Sequence, residues 1–374
     1  MSFFSRFKLL DPMIVGLTMV LMCFGLVMLL SATGPLAFLR TGDSLFYVKR
    51  QLLNGVLPGL VLFFFFASVD YRRWKPFAGL ASIASLVLLL LVYIPGVGLH
   101  LGGARGWVHV GPVQFQPSEL VKFTFLIYLS AWLANREGSD AHGFQTGLLP
   151  FLGALGAVIV LLVLQPDTGS MAVIVGTSLF LYFLSGAPWI WFILLCGAGA
   201  GLLALLIKFS PYRAARFTTF LHPELDPLGI GYHINQAMLA IGSGGWWGLG
   251  YGHSRQKFLY LPEVEADSIS AVIAEEMGFV VMVFLLIAFG WLVWRCLQIS
   301  RHSRDRFGMF LAAGVGAWVG LEVFLNIGSM SGVLPMTGVT LPFISHGGSA
   351  LAVLLAAMGL VAGIPRKSIK SSGL

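Results

Sequence analysis

Long apolar runs divided by short polar punctuation dominate the chain. A helix needs about 20 apolar residues to cross the hydrocarbon core of a bilayer. Ten segments meet or approach that length, near 13–33, 52–68, 77–95, 120–135, 146–164, 170–185, 189–207, 268–294, 308–329 and 347–364. The first is too long for a signal-peptide core and lacks a cleavage site after it, so it reads as a signal anchor. The pattern predicts an all-α, polytopic membrane protein of about ten helices, one integral membrane domain over 1–374. A long extracytoplasmic loop, 208–266, separates the seventh and eighth spans. Gly197-Ala198-Gly199-Ala200-Gly201 reads as a site of close helix packing.

Composition narrows the class further. Hydrophobic residues make up 57% of the chain and charged ones 10%, against roughly 25% charged in a soluble domain. Too little charge is present to cover a water-facing surface. Cys23, Cys196 and Cys296 form no CxxC and no Cys/His pairing, which supports neither a disulfide framework nor a zinc site. The net charge of +7 is explained by basic residues at helix ends and gives no reason to invoke nucleic acid.

The placement of those basic residues sets an orientation. Arg6, Lys8, Arg72, Arg73, Lys75, Arg136, Arg295, Arg301, Arg304, Arg306, Arg366, Lys367 and Lys370 all fall on one set of connections, thirteen of the 23 Lys and Arg. By the positive-inside rule that set is cytoplasmic, and so are both termini. The outer face then holds 96–119, 165–169, 208–266 and 330–346, rich in Gly, Pro, aromatic and polar residues. The cytoplasmic loops carry no Walker A run, GxGxxG, HExxH, GxSxG or Asp-x-Asp. Chemistry is expected on the outer face of the membrane.

Several constellations could carry it. Leu261-Pro262-Glu263-Val264-Glu265-Ala266-Asp267 leads into an apolar run containing Glu275 and Glu276. A carboxylate at the mouth of a membrane helix sits where the dielectric falls, which suits a general base. Asp267 and Glu275, eight apart, lie near one helix face and about 12 Å apart in depth. Spacing alone favours a plainer role for Asp267, capping the helix N-terminus. Glu275, Glu276 and Glu322 are costly in hydrocarbon and should face the bundle interior, as a packing network or as a pathway. Glu322 and Asn326 share a face. In the long loop, Arg213 and Arg216 suit phosphate. Trp246, Trp247, Tyr251 and Tyr260 suit sugar rings or the membrane interface. Asp167, in Gln165-Pro166-Asp167-Thr168-Gly169, reads as a helix cap.

Taken together these motifs resemble the SEDS family (shape, elongation, division and sporulation). The resemblance rests on Gly103-Ala104-Arg105 with Trp107, on Phe115-Gln116-Pro117-Ser118-Glu119, and on Gln165 through Gly169. It continues through Tyr212-Arg213, Arg216, Phe220, Pro223 and Asp226-Pro227. Gly244-Gly245, Gly250, Ser254, Gln256-Lys257 and Tyr260-Leu261-Pro262-Glu263 extend it, with Glu275-Glu276-Met277-Gly278. Leu334-Pro335 and Ser345-His346-Gly347-Gly348-Ser349 complete it. Ser254 through Lys257 and Val339 through Pro342 look closer to the division branch than to the elongation branch.

The resemblance implies a peptidoglycan glycosyltransferase that polymerises lipid II, an undecaprenyl-pyrophosphate-linked disaccharide peptide. It would work beside a class B penicillin-binding protein transpeptidase and other divisome membrane proteins. Asp267 matches the family's catalytic carboxylate. Arg105, Arg213, Arg216 and Lys257 become pyrophosphate or cavity contacts. Lys122, Glu119, Glu263, Ser345 and Ser349 become substrate-site residues, and Asp167, Glu275, Glu276 and Glu322 cavity or structural ones. The α-linked donor and β-linked product require inversion, with one base for the acceptor hydroxyl and cations for the leaving pyrophosphate. A divalent cation, Mg or Mn, could share that last task; its ligands are unknown.

The chain departs from the family pattern at Ala266 (usually Thr), Ser268 and Ser270 (Phe), Gly106 (Arg), His346 (Tyr) and His233 (Gln). Two other readings use the same spans: a lipid II flippase, and a non-catalytic scaffold for the transpeptidase. A generic secondary transporter is disfavoured, because the sequence shows no inverted repeat.

Overall fold

The computed structural model describes residues 10–101, 104–110, 113–136, 143–209, 211–222 and 229–370. Arg6, Lys8, Pro223, Asp226 and Pro227 lie outside them. The chain is a bundle of α1 (Pro12–Thr41), α2 (Phe46–Ser68), α3 (Tyr71–Leu91), α4 (Pro117–Ala134), α5 (Phe144–Leu164), α6 (Thr168–Leu184) and α7 (Trp189–Phe209). Then come α8 (Pro211–Leu221), α9 (Ile230–Gly244), α10 (Ile269–Arg301), α11 (Arg306–Met330) and α12 (Gly348–Lys370). Each expected span has its helix. Eight are long and apolar enough to cross a membrane; α6 is shorter, at 17 residues, and Glu119 and Lys122 make α4 less apolar.

Burial sorts the helices into a core and a rim. In α11 67% and in α12 78% of the apolar window is buried, against none in α7. Small residues allow this: a Cβ on Gly359 of α12 would lie 2.2 Å from the Phe63 carbonyl of α2, so the two backbones touch. The Gly197–Gly201 run does the opposite of what was expected. Among the described residues no atom lies within 4 Å of a Cβ built at Gly197, Gly199 or Gly201, so none of them packs against this stripe. The 96–119 connection adds a small antiparallel sheet to the helices, β1 (Gly98–Leu101), β2 (Ala104–Val110) and β3 (Val113–Phe115), in the order β1-β2-β3.

The largest correction concerns 208–266, which is not a surface loop throughout. It holds α8 and α9, and its second half dips into the bundle. α9 runs beside α10 from His233, bonded to Ser268, down to Gly244, which abuts the Ala274 carbonyl. There α10 breaks at Gly278 (φ 77°, ψ −179°), a conformation open essentially to glycine alone. The chain 245–250 fills the break. Leu249 and Gly250 donate to the carbonyls of Glu275 and Glu276, both at 2.9 Å, while Phe279 and Val280 donate to Gly245 (2.9 Å) and Trp246 (3.2 Å). The return strand then climbs along α1: Tyr251 bonds Val27, Lys257 bonds Ser31, and Arg40 pairs with Glu265. At 1.5 Å per residue both rulers, α10 and α1, put the dip at roughly 15–20 Å. Irregular backbone at such depth requires that its polar groups be met by protein. These four bonds across the break do so.

Candidate active site

Asp267 stands at the mouth of α10, in the turn by which the re-entrant segment returns. It does not cap the helix: the N-cap position belongs to Ser268, whose side chain makes no capping bond. What fixes the turn is its main chain. The carbonyls of Glu265, Ala266 and Asp267 accept, in order, from the His346 N–H (2.7 Å), Ser345 Oγ (2.6 Å) and Asn326 Nδ2 (2.8 Å). All three donors come from α11 and the segment that follows it. Ser345 Oγ in turn accepts from Leu341 N at 2.8 Å, and Gln51 of α2 bonds Ser345 O (3.1 Å) and Gly347 N (3.0 Å). Asp267 is buried, at 8% exposure. A carboxylate is thereby held on a doubly braced turn at the end of the bundle.

Glu263 and Glu265 flank it. Glu263 is exposed and left-handed (φ 49°). Partial desolvation pushes its carboxyl above the usual range, and the Glu265 charge adds to this while Arg40 opposes it. Burial, reinforced by the positive charge of Arg50, pushes the His346 imidazole down to about 4. It stands edge-on to Tyr47, at 5.3 Å between ring centroids, and Tyr47 accepts from Arg40 at 2.8 Å. The sequence reading missed Arg40, Arg50, Tyr47 and Gln51. The available signal was a basic pair with Gln, Lys49-Arg50-Gln51, on a connection that the charge rule assigns to the outer side.

A second group fills the core beneath. Lys122 of α4 lies between Glu119 (2.8 Å) and Glu322 of α11, all three buried, with the Trp318 ring 5.4 Å away. Glu322 and Asn326 do share a face, and through Asn326 this group adjoins Asp267: its amide donates to Asp267 O and to Val339 O (2.7 Å). Val339, Glu119, Lys122 and Asp167 line one polar cavity of about 40 Å³. Asp167 caps α6 as expected, accepting from Ser170 N at 2.9 Å. Its other oxygen accepts from Ser118 Oγ (2.7 Å) and Gln116 Nε2 (3.2 Å), so two separate sequence motifs meet there. Ser349 Oγ accepts from Gln116 N at 3.3 Å.

The third group sits at the helix break. Glu275 accepts from Ser254 Oγ, Arg255 N (2.9 Å) and Gln256 N (3.4 Å). Glu276 accepts from Lys257 Nζ (2.7 Å), Ser31 Oγ (2.7 and 2.8 Å) and Ser254 N (3.3 Å). Lys257 also donates to Ser31 Oγ and Gly252 O. With those three acceptors its ammonium is engaged inside the protein. Ser31, one polar residue in an apolar run, gave no signal in sequence. Arg105 lies on β2, and Arg213 and Arg216 one turn apart on α8; the side chains of all three lie outside the described residues. Two family departures, His233 and Ser268, prove to be in contact at 2.5 Å.

Comparison with known proteins matches this arrangement over nearly the whole chain. The family model FtsW/RodA/SpoVE, described as "Cell cycle protein", covers residues 11–370. The stage V sporulation protein E of Bacillus subtilis is 38% identical over 358 residues, 96% of this chain and 97% of that one. A probable peptidoglycan glycosyltransferase FtsW of Thioalkalivibrio sulfidiphilus is 40% identical over 377 residues, 98% and 93% of the two chains. Among solved structures, the Thermus thermophilus rod shape determining protein RodA superposes with TM-score 0.71 at 30% identity, covering 96% and 98%. A chain from "Structural coordination of polymerization and crosslinking by a peptidoglycan synthase complex" reaches TM-score 0.78 at 30% identity, covering 96% and 99%. The higher identity to the FtsW and SpoVE proteins than to RodA agrees with the leaning toward the division branch. The chain belongs to the FtsW/RodA/SpoVE family of cell cycle proteins.

Proposed function

We propose that this protein is a peptidoglycan glycosyltransferase that polymerises lipid II at the outer face of the cytoplasmic membrane, with Asp267 as its base. The observation that carries the reading is the braced turn: a buried carboxylate held at a helix mouth by three successive main-chain carbonyls. Placement of this kind makes a base effective, since proton transfer requires hydrogen-bond reach of the reacting hydroxyl. In the proposed step Asp267 takes the proton of the acceptor sugar hydroxyl. The freed oxygen attacks the donor's anomeric carbon from the side opposite the pyrophosphate. The carbon–oxygen bond to the pyrophosphate breaks with inversion, and the polyprenyl pyrophosphate departs with the electron pair.

Arg105, Arg213 and Arg216 are assigned to the pyrophosphate. Lys257 is assigned to the re-entrant scaffold, because its donors are already engaged. Among the described residues no three His, Cys, Asp or Glu side chains come together to hold a metal. A divalent cation, Mg or Mn, would therefore be carried chiefly by the pyrophosphate oxygens, as Mg often is in phosphate sites. Positive charge at the Arg72, Arg136 and Arg295 end supports a topology with both termini in the cytoplasm and Asp267 outside. A class B penicillin-binding protein is the proposed partner, by analogy with the synthase complex whose chain this one resembles.

The test is polymerisation of lipid II by the protein purified with its transpeptidase partner, with glycan chains read on a gel. Polymer from wild type and none from a folded, partner-bound Asp267→Ala is expected, with Arg213→Ala reduced. Equal polymer from Asp267→Ala removes it from the mechanism. None from wild type moves the reading to a flippase or scaffold.

A further inference from the structure

Ser268, immediately after Asp267, is the N-cap of α10 by position yet caps nothing. Its hydroxyl points elsewhere, to Pro262 O at 2.7 Å and to His233 Nε2 at 2.5 Å. A hydroxyl has one proton and two lone pairs. The Pro262 carbonyl can only accept, so the Ser268 proton goes to it, and the contact with Nε2 must be one that Ser268 accepts. The imidazole therefore carries a hydrogen on Nε2, in either its neutral or its charged form. The Ser268–Pro262 bond closes the turn that contains Asp267, joining its first residues to its last. The His233–Ser268 bond ties the closed turn to the first turn of α9, an element other than those that supply Asn326 and Ser345.

We propose that His233 is a positioning residue for Asp267, acting as an Nε2–H donor to Ser268. The proposal rests on the reading of Asp267 as the base. Asn326, Ser345 and His346 restrain the turn from α11 and the segment after it; His233 restrains it from the re-entrant side. Removing one of the braces, each anchored in a different element, lets the carboxylate wander by a fraction of an ångström. Rate is lost in such a case without loss of substrate binding. What position 233 requires is a donor at that height, not an imidazole. A Gln amide can supply one and a Glu carboxylate cannot.

The experiment measures lipid II polymerisation by the partner-bound protein carrying His233→Ala, His233→Gln, His233→Glu, Ser268→Ala, or His233→Ala with Ser268→Ala. It is paired with amide hydrogen exchange over residues 262–271 in detergent, which needs no substrate. Expected for His233→Ala and for Ser268→Ala is a kcat lower by about tenfold, the weight of one buried hydrogen bond, with KM held within about twofold. His233→Gln should recover most of the rate, His233→Glu none of it, and the double variant should be no slower than the slower single one. Exchange over 262–271 should quicken in His233→Ala and return to wild type in His233→Gln.

Four results overturn the proposal: His233→Ala at the wild-type rate, His233→Gln no better than Ala, an effect confined to KM, or additive losses in the double variant. If wild type itself makes no polymer, the glycosyltransferase reading fails. The exchange data then still decide whether His233 holds the turn.

Discussion

Two sets of carboxylates lie on one helix and are treated in opposite ways. At the break in α10, Glu275 and Glu276 are held by their side chains, which between them accept from the N–H and hydroxyl of Ser254, the N–H groups of Arg255 and Gln256, the Ser31 hydroxyl and the Lys257 ammonium. At the mouth of the same helix, the turn of Asp267 is held through its main chain by Ser345, His346 and Asn326. A carboxylate that accepts on both oxygens from the segments beside it is a structural element: its charge fixes the re-entrant segment at membrane depth. A carboxylate whose backbone bears the restraint is positioned without the bracing groups having to bond its oxygens. With Asp267 as the proposed base, the eight or so residues between the two sets separate building from chemistry.

The sharpest way to test that contrast is to neutralise each set in turn. Asp267→Asn keeps shape and removes the base, and a general base contributes about 10²–10⁴-fold. Polymerisation should fall by that much while the melting temperature in detergent stays near wild type. A variant that loses stability instead would put Asp267 with the structural set. Lys257→Met should do the reverse. It leaves Glu276 buried without its cation, at a cost of about 3–5 kcal/mol, seen as a large drop in melting temperature. Lys257→Met with Glu276→Met should recover part of the loss, since the uncompensated charge is gone. No recovery would mean that packing, not charge, holds the break.

The sequence made one of these regions far more legible than the other. Spans were readable because hydropathy over 20 residues is a local property. The break at Gly278 was not, because it interrupts an apolar run without changing its composition. The depth of 245–260 depends on pairings such as Lys257 with Ser31 and Tyr251 with Val27, which are more than 220 residues apart and leave no periodic trace. The types of Trp246 and Trp247 suit sugar rings or the membrane interface, an inference that ignores where the backbone goes. Around Asp267 the motifs pointed to residues that the fold does bring together, Ser345 and His346 among them. They could not supply the roles: that Ser268 takes the cap position, or that Asn326, on the face of Glu322, bonds the Asp267 and Val339 carbonyls, follows from the fold alone. Lys257 makes the same point, for the family resemblance implied a pyrophosphate or cavity contact, while its donors are turned inward to Glu276, Ser31 and Gly252.

A smaller effect separates the two regions by pH. His346 braces the Asp267 turn and has its imidazole pushed down to about 4, chiefly by burial. Its folded value lies below the ordinary 6.5, so the proton binds the unfolded chain more tightly. The stabilisation is complete above pH 6.5 and is lost as pH falls toward 4, on the order of 2–3 kcal/mol in all. Glu263, with its carboxyl raised, has the opposite sign: its contribution is complete below the ordinary 4.5 and is lost as pH rises through the folded value. Melting temperature against pH should therefore show an acid loss between 6.5 and 4 that His346→Gln flattens. An unchanged slope in His346→Gln would assign the acid loss to other groups.

The smallest energetic effect carries the finest geometric information. Trp246 and Trp247 are 68% and 80% exposed, so replacing both with Phe should change stability by no more than about 0.5 kcal/mol. Yet the bonds of Phe279 and Val280 to Gly245 and Trp246 put this pair alongside the break, roughly 15 Å along α10 from Asp267. In bilayers of lipids brominated at stepped positions along the acyl chain, the fluorescence lost on going from wild type to the double Phe variant should be quenched best by deep bromines. Quenching best by bromines near the headgroup would place the pair at the interface, as residue type alone suggested. The re-entrant segment would then lie at the surface, and Lys257 and Glu276 would need an explanation other than a buried brace.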